Sequence, residues 1–195
     1  CCIFCLSLQF SFLNIFCFPF SFNLAQATPK FIEMSEKLSV NKKNFMKRAI
    51  QLSEENMHKN SGGPFGTVIV KDRKIIAEGF NQVTSLNDPT AHAEIVAIRI
   101  ACQNLNVFHL TGAEIYCSCE PCPMCLAAIY WVQLDRIYYA NTREDAQQIG
   151  FDDNTIYEEL TKNKNQRRIP TIQILSKEGK QAFHTWEKKV DKIPY

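Results

Sequence analysis

The chain lacks a charge bias. Its 22 Lys and Arg stand against 20 Asp and Glu across 195 residues, for a formal net charge of +2. That balance argues against a nucleic-acid polyanion as the main partner, and the basic run KNKNQRR at 162–168 reads as a solvated loop. Internal repeats are also lacking, which excludes repeat architectures. Histidine is scarce, with 4 residues against 9 cysteines. Those cysteines in turn lack a disulfide pattern. Cys1, Cys2, Cys5 and Cys17 lie in the first 27 residues, and Cys102, Cys117, Cys119, Cys122 and Cys125 lie in the body. An odd body set at uneven spacing makes a poor scaffold, and a body this long does not need one. Metal binding in a reducing compartment fits better, so a cytoplasmic location is expected.

The first 27 residues have no charged side chain at all, yet hold seven of the fourteen Phe. Gln9, Asn14 and Pro19 interrupt the run, so it is a poor membrane span and no membrane partner is expected. AQA at 25–27 looks like a signal-peptidase site, but the basic region that should precede it is missing. Met34 opens MSEKLSVNKKNFMKRA, which reads like an ordinary cytosolic start. Residues 1–33 are therefore expected to be a leader, non-native or targeting, outside the fold. Residues 34–195 are expected to form the domain, and the hydrophobic (46%) and charged (22%) content of the whole chain is ordinary for a globular protein.

Within that domain, helical spacing of Phe45, Met46, Ala49, Ile50, Leu52 and Met57 predicts a helix over about 41–60, broken by SGGP. FGTVIV and KIIAEGFN, joined by KDRK, predict a hairpin. TSLNDP reads as a loop, and Thr90 or Asp88 can cap the following helix AHAEIVAIRIACQNL. A buried strand at 113–118, a helix beginning near Pro121, a strand RIYYA, helices near 143–149 and 153–161, a late strand TIQIL at 171–175 and a last helix at 180–190 follow. A hairpin followed by strands alternating with helices predicts an α/β sandwich with a mixed sheet.

Chemistry concentrates in two places. His92 and Glu94 fall in the first turn of one predicted helix, and Cys122 and Cys125 fall at i and i+3 in the first turn of another. The partial positive charge of helix starts favours thiolate. Two thiolates and an imidazole suit Zn2+, and three ligands leave a fourth position for a water that zinc acidifies to a pKa of about 7. Glu94, two residues from a ligand, is placed to move protons without coordinating. Cys117 and Cys119 read as strand or turn residues near the metal, and Cys102 as core. H-x-E followed by P-C-x-x-C is the zinc-deaminase signature.

NDPTAHAE together with SCEPCPMCLAAIYW resembles the cytidine-deaminase superfamily of purine and pyrimidine deaminases. GFDDNTIYEEL and the terminal Tyr resemble its bacterial-type guanine deaminases, and the likeness runs from about Asn44 to Tyr195. The resemblance implies a cytidine deaminase-like three-layer sandwich, zinc on His92, Cys122 and Cys125, and Glu94 as proton shuttle. It implies that Asn87 hydrogen-bonds the base, that Phe65 and Trp131 line the pocket, and that Asp153 meets the substrate's amino edge. It further implies a homodimer that exchanges C-terminal segments, with Tyr195 closing the partner's site. The reaction it implies is hydrolysis of guanine, a small-molecule purine, to xanthine and ammonia. A guanosine deaminase and an RNA adenosine deaminase would share the metal, the Glu and the fold. A non-catalytic zinc module would not need Glu94.

Overall fold

The structure, a computed structural model, describes residues 29–194. Most of the expected leader, residues 1–28, and Tyr195 lie outside the described residues. The chain divides into two compact units, 1–37 and 38–195. Of the first, only helical backbone from Pro29 onward is described. The second holds the sheet and the helices that pack on it.

The first helix, α1 (Pro29–His58), begins well before the expected residue 41. Residues 33–38, EMSEKL, are mostly good helix formers with no Gly or Pro to stop them. The predicted hairpin is present as β1 (Gly66–Lys71) and β2 (Lys74–Phe80). Its two turn residues, Asp72 and Arg73, both take positive φ (50° and 62°), the requirement of a two-residue type I′ turn. β3 (Ala113–Cys119) and β4 (Arg136–Asn141) complete a mixed sheet in the order β2-β1-β3-β4. β1 runs antiparallel to both neighbours, and β3 and β4 run parallel.

Side chains alternate across this sheet with period two. Val68, Val70 and Tyr116 pack with Ala49 and Leu52 of α1 on one face. Ile69, Ile115 and Cys117 pack on the other with Ala97 and Ala101 of α3 (Ala93–Leu105) and Ile129 of α4 (Pro123–Trp131). Helix, sheet and helix pair make the three layers expected. Two glycines set how closely they approach. A Cβ at Gly66 would lie 2.3 Å from the Ala49 carbonyl oxygen, and one at Gly79 would lie 2.3 Å from that of Ala93. Arg48 of α1 clamps Glu78 of β2 through two hydrogen bonds of 2.8 and 2.6 Å, drawing the Glu78 carboxyl below its ordinary pKa.

Several local expectations need correction. The loop before α3 contains a short helix, α2 (Val83–Leu86), ended by Asn87 in the left-handed region at φ 51°. Neither Thr90 nor Asp88 caps α3. His92 occupies the N-cap position, while Asp88 Oδ1 accepts from the Thr90 amide (2.8 Å) and hydroxyl (2.7 Å) to build the preceding turn. Pro123, not Pro121, opens α4, after Cys122 as N-cap. α5 (Arg143–Gln148) and α6 (Asn154–Thr161) lie where expected. Residues 171–175 are not a strand. Ile172 and Ile174 have β-branched side chains, but a strand needs a ladder partner, and among the described residues none pairs there. The last helix, α7 (Ser176–Lys188), starts four residues earlier than expected.

Candidate metal centre and substrate cavity

The sheet brings two helix N-termini together. His92 is the N-cap of α3 and Glu94 its second residue; Cys122 is the N-cap of α4 and Cys125 its third. The Sγ atoms of Cys122 and Cys125 lie 3.6 and 3.5 Å from His92 Nδ1, and the three ligand atoms lie within 4.8 Å of one another. A tetrahedral zinc with bonds of ~2.3 Å to sulfur and ~2.0–2.1 Å to nitrogen puts sulfur and nitrogen ~3.5 Å apart. The spacing and the donor set therefore fit zinc. Glu94 falls outside this cluster although only 8% of its surface is exposed.

The electrostatics are those of a site suited to a cation. A hydrogen bond from Cys125 and one from His92 hold the Cys122 thiol down at about 4, against burial. Cys125, which keeps the shared proton beside that thiolate and is itself buried, is pushed far up. His92 is raised by its bond to Cys122. Burial raises Glu94, and also Cys117 and Cys119, the latter to about 11. Cys117 and Cys119 lie on β3, outside the ligand cluster.

His92, Cys122 and Glu94 open onto a cavity of about 810 Å³, which Phe65 and Asp153 also line. Phe65 is half-buried and meets Phe151 edge to face, with ring centroids 4.8 Å apart. Asp153 stands at the N-cap position of α6, but its side chain makes no capping bond, and burial raises its pKa. Two expected residues are not brought in. Asn87 is exposed at the end of α2, and Trp131 is 70% exposed at the end of α4; neither lines the cavity. Tyr195 lies outside the described residues.

The cavity holds an asparagine that the motif reading missed. Asn81, 6% exposed just after β2, lines it. Its Oδ1 accepts from the amides of Gly63 (3.3 Å) and Val83 (3.2 Å), which identifies the oxygen and leaves the Nδ2 donor for a ligand. Gly62 makes this possible, since a Cβ there would lie 1.8 Å from the Asn81 carbonyl oxygen. The available signal was a polar side chain at the end of an apolar strand, in GFNQ.

Three candidate protein ligands, two of them lining a cavity, with a buried carboxylate that lines it too, suit hydrolytic zinc chemistry; a structural zinc takes four protein ligands. Residues 39–141 match the cytidine and deoxycytidylate deaminase zinc-binding region. The chain belongs to that family, and its fold is cytidine deaminase-like. It is 48% identical over 156 residues to a guanine deaminase of Bacillus subtilis (strain 168), covering 80% of this chain and all of that protein. The crystal structure of a guanine deaminase from Bacillus subtilis superposes with a TM-score of 0.77, over 78% of this chain and 98% of that one. A tRNA-specific adenosine deaminase of Agrobacterium fabrum is 49% identical over 76 residues, 39% of this chain and 50% of that protein.

Proposed function

We propose that the protein catalyses zinc-dependent hydrolysis of guanine to xanthine and ammonia. The carrying observation is a His-Cys-Cys cluster at tetrahedral spacing, with a buried, non-ligating Glu94 beside it on the floor of a cavity. His92, Cys122 and Cys125 hold the metal. When bound, zinc acidifies a water toward a pKa of ~7 and acts as a Lewis acid. Glu94 accepts a proton from the attacking water, delivers it to the ring nitrogen, and assists departure of the amine; burial brings its pKa toward the working pH. Phe65 offers a ring face, worth ~1–3 kcal/mol per stacked base. Asp153 accepts hydrogen bonds from the exocyclic amine, which the keto group of xanthine cannot donate. Asn81 Nδ2, rather than Asn87, donates to an acceptor on the purine edge.

The dimer is supported by the C-terminal segment. Ile172, Ile174, Phe183, Trp186 and Val190 are all exposed, which is expensive for a lone chain and natural for a segment exchanged between two. In that arrangement Tyr195 closes the partner's cavity. Residues 34–195 are the deaminase domain and residues 1–33 a leader. Among the described residues no helix is long and apolar enough to cross a membrane. The five described cysteines are all free, in keeping with a reducing, cytoplasmic setting. The near-neutral chain gives no reason to expect a nucleic-acid partner.

A second reading, guanosine, is favoured by one observation: a cavity of about 810 Å³ far exceeds a bicyclic base. The C-terminal lid decides between them by filling the space a ribose would take. Incubating zinc-loaded protein with guanine, guanosine, adenine and cytosine and measuring ammonia tests both. We expect guanine to be turned over far faster than the rest. Equal rates on guanosine refute the lid, and no release from any of the four refutes the deaminase.

A further inference from the structure

Among the Lys and Arg side chains described, only Arg143 lines the cavity. Its backbone sits where two parts of the site meet. Thr142 caps α5 in a reciprocal box with Asp145, donating its amide to Asp145 Oδ2 at 2.8 Å. The Cys119 thiol donates to the Thr142 carbonyl (3.4 Å), the Glu120 amide donates to Asn141 O (2.8 Å), and the Arg143 amide donates to Glu120 Oε2 (3.3 Å). The first turn of α5 is thereby tied to residues 119–120, immediately before the Cys122 loop. The Arg143 side chain then reaches the other way. Its guanidinium carbon stands 4.7 Å from the Tyr157 ring centroid, and its Nε donates to Glu144 Oε1 at 3.0 Å.

Tyr157 lies one turn along α6 from Asp153, and its amide reaches back to the Asp153 carbonyl (3.5 Å). α6 has no fully buried residue, so core packing does not fix its position. Two contacts from this segment stand out: Phe151 against Phe65 before the helix, and Tyr157 beneath Arg143 within it. The first anchors the entry to α6. The second falls on the helix that Asp153 opens, as does a bond from the Arg168 amide to Glu159 Oε2 (2.7 Å) near its far end.

We propose that Arg143 is a positioning residue: seated on Tyr157 and tied through α5 to the metal-binding loop, it aims Asp153 at the substrate. This rests on the reading of Asp153 as the residue that meets the amino edge. A cation over an aromatic ring at a partly exposed site shifts an equilibrium by roughly two- to five-fold, while misplacing a reacting group by ~1 Å can lower the rate ~10²-fold. The expected loss of kcat on breaking the latch lies between those bounds, at ~10-fold.

The experiment uses the zinc-loaded full chain with Arg143→Met, Tyr157→Leu, the double variant, and the conservative Arg143→Lys and Tyr157→Phe. Each Arg143 variant is also made in an Asp153→Asn background. We expect Arg143→Met and Tyr157→Leu to lower kcat alike with zinc content unchanged. The double variant should be no worse than the poorer single, and both conservative variants should keep most activity. Arg143→Met should cost nothing further once Asp153 is Asn; a merely structural arginine would cost as much there as in the parent. Hydrogen exchange of the amides at 154–161 should quicken in Arg143→Met and Tyr157→Leu. Unchanged kcat, loss of zinc, an undiminished effect in the Asp153→Asn background, or unchanged exchange each overturns the latch. Absence of ammonia release by the parent protein instead overturns the functional reading, and exchange still judges the latch.

Discussion

Replacing Glu94 with Gln is expected to lower turnover and raise the stability of the metal-free protein together. The residue is 8% exposed, and burial is the main cause of its raised pKa. For catalysis, loss of a positioned acid–base group removes roughly 10²–10⁴-fold in kcat. For stability, the sign follows from linkage. The folded pKa lies above the unfolded one, so the folded state holds its proton more tightly. Glu94's contribution is fully present below the unfolded pKa, ~4.3, and declines as pH rises through the folded value. Gln has no such decline. Burying an uncompensated polar group costs ~1–3 kcal/mol in mutational series, and a kcal/mol is worth ~2–4 °C in a chain of this size. The metal-free variant should therefore melt with the parent near pH 4 and increasingly above it as the pH rises, by roughly 2–12 °C once the buried Glu94 ionises. Zinc should narrow the gap, because a cation beside the carboxylate stabilises its charge. Calorimetric melts of chelated and zinc-loaded protein across that pH range, with ammonia release on the same samples, measure both halves. A variant that melts below the parent at pH 8 without zinc refutes the burial argument; one that keeps near-parent turnover with full zinc refutes the proton shuttle.

The ligand set is checked by metal analysis: Cys122→Ala and Cys125→Ala should lose zinc and activity together, whereas Cys117→Ala and Cys119→Ser should keep both. Zinc binding at pH 7 should release about one proton or somewhat more, since Cys122 is already thiolate, Cys125 holds its proton and the raised His92 adds a fraction; calorimetry in buffers of different ionisation enthalpy counts it, and no release contradicts the protonation pattern. Asn81→Ala should lower kcat/KM for guanine by ~10-fold or more, as loss of one buried hydrogen bond to substrate costs ~1–3 kcal/mol, while Asn87→Ala should change it little. Deleting residues 193–195 should damage guanine turnover. Mixing that deletion with Glu94→Gln protein under subunit exchange should restore activity, and failure to recover it in demonstrated heterodimers counts against an exchanged tail.

The metal cluster was legible in the sequence because helix geometry turns short spacings into distance: two helix starts, each carrying its donors within three residues, need only a sheet to bring them face to face. The hairpin was legible because alternation and a short polar linker are local signals. The buried position of Asn81 was not, because it arises from what folds over that residue. The motif drew attention to Asn87, beside the conspicuous DPT, while the buried amide lay six residues earlier at a strand end. The strand expected at 171–175 failed for the complementary reason. Its residues favour extension, but a ladder needs a second strand, and propensity says nothing about where one stands.

The bare Cα of Gly79 has a bearing on how this enzyme can be altered. Ordinary van der Waals contact begins at 3.4 Å, so a methyl at 2.3 Å from the Ala93 carbonyl would have to drive the first turn of α3 outward by about an ångström. His92 and Glu94 ride on that turn. Metal bonds tolerate only ~0.2 Å. A position that touches neither metal nor substrate thus works as the shim that sets the height of both, and mutagenesis aimed at new substrates has room at the cavity wall but none beneath it.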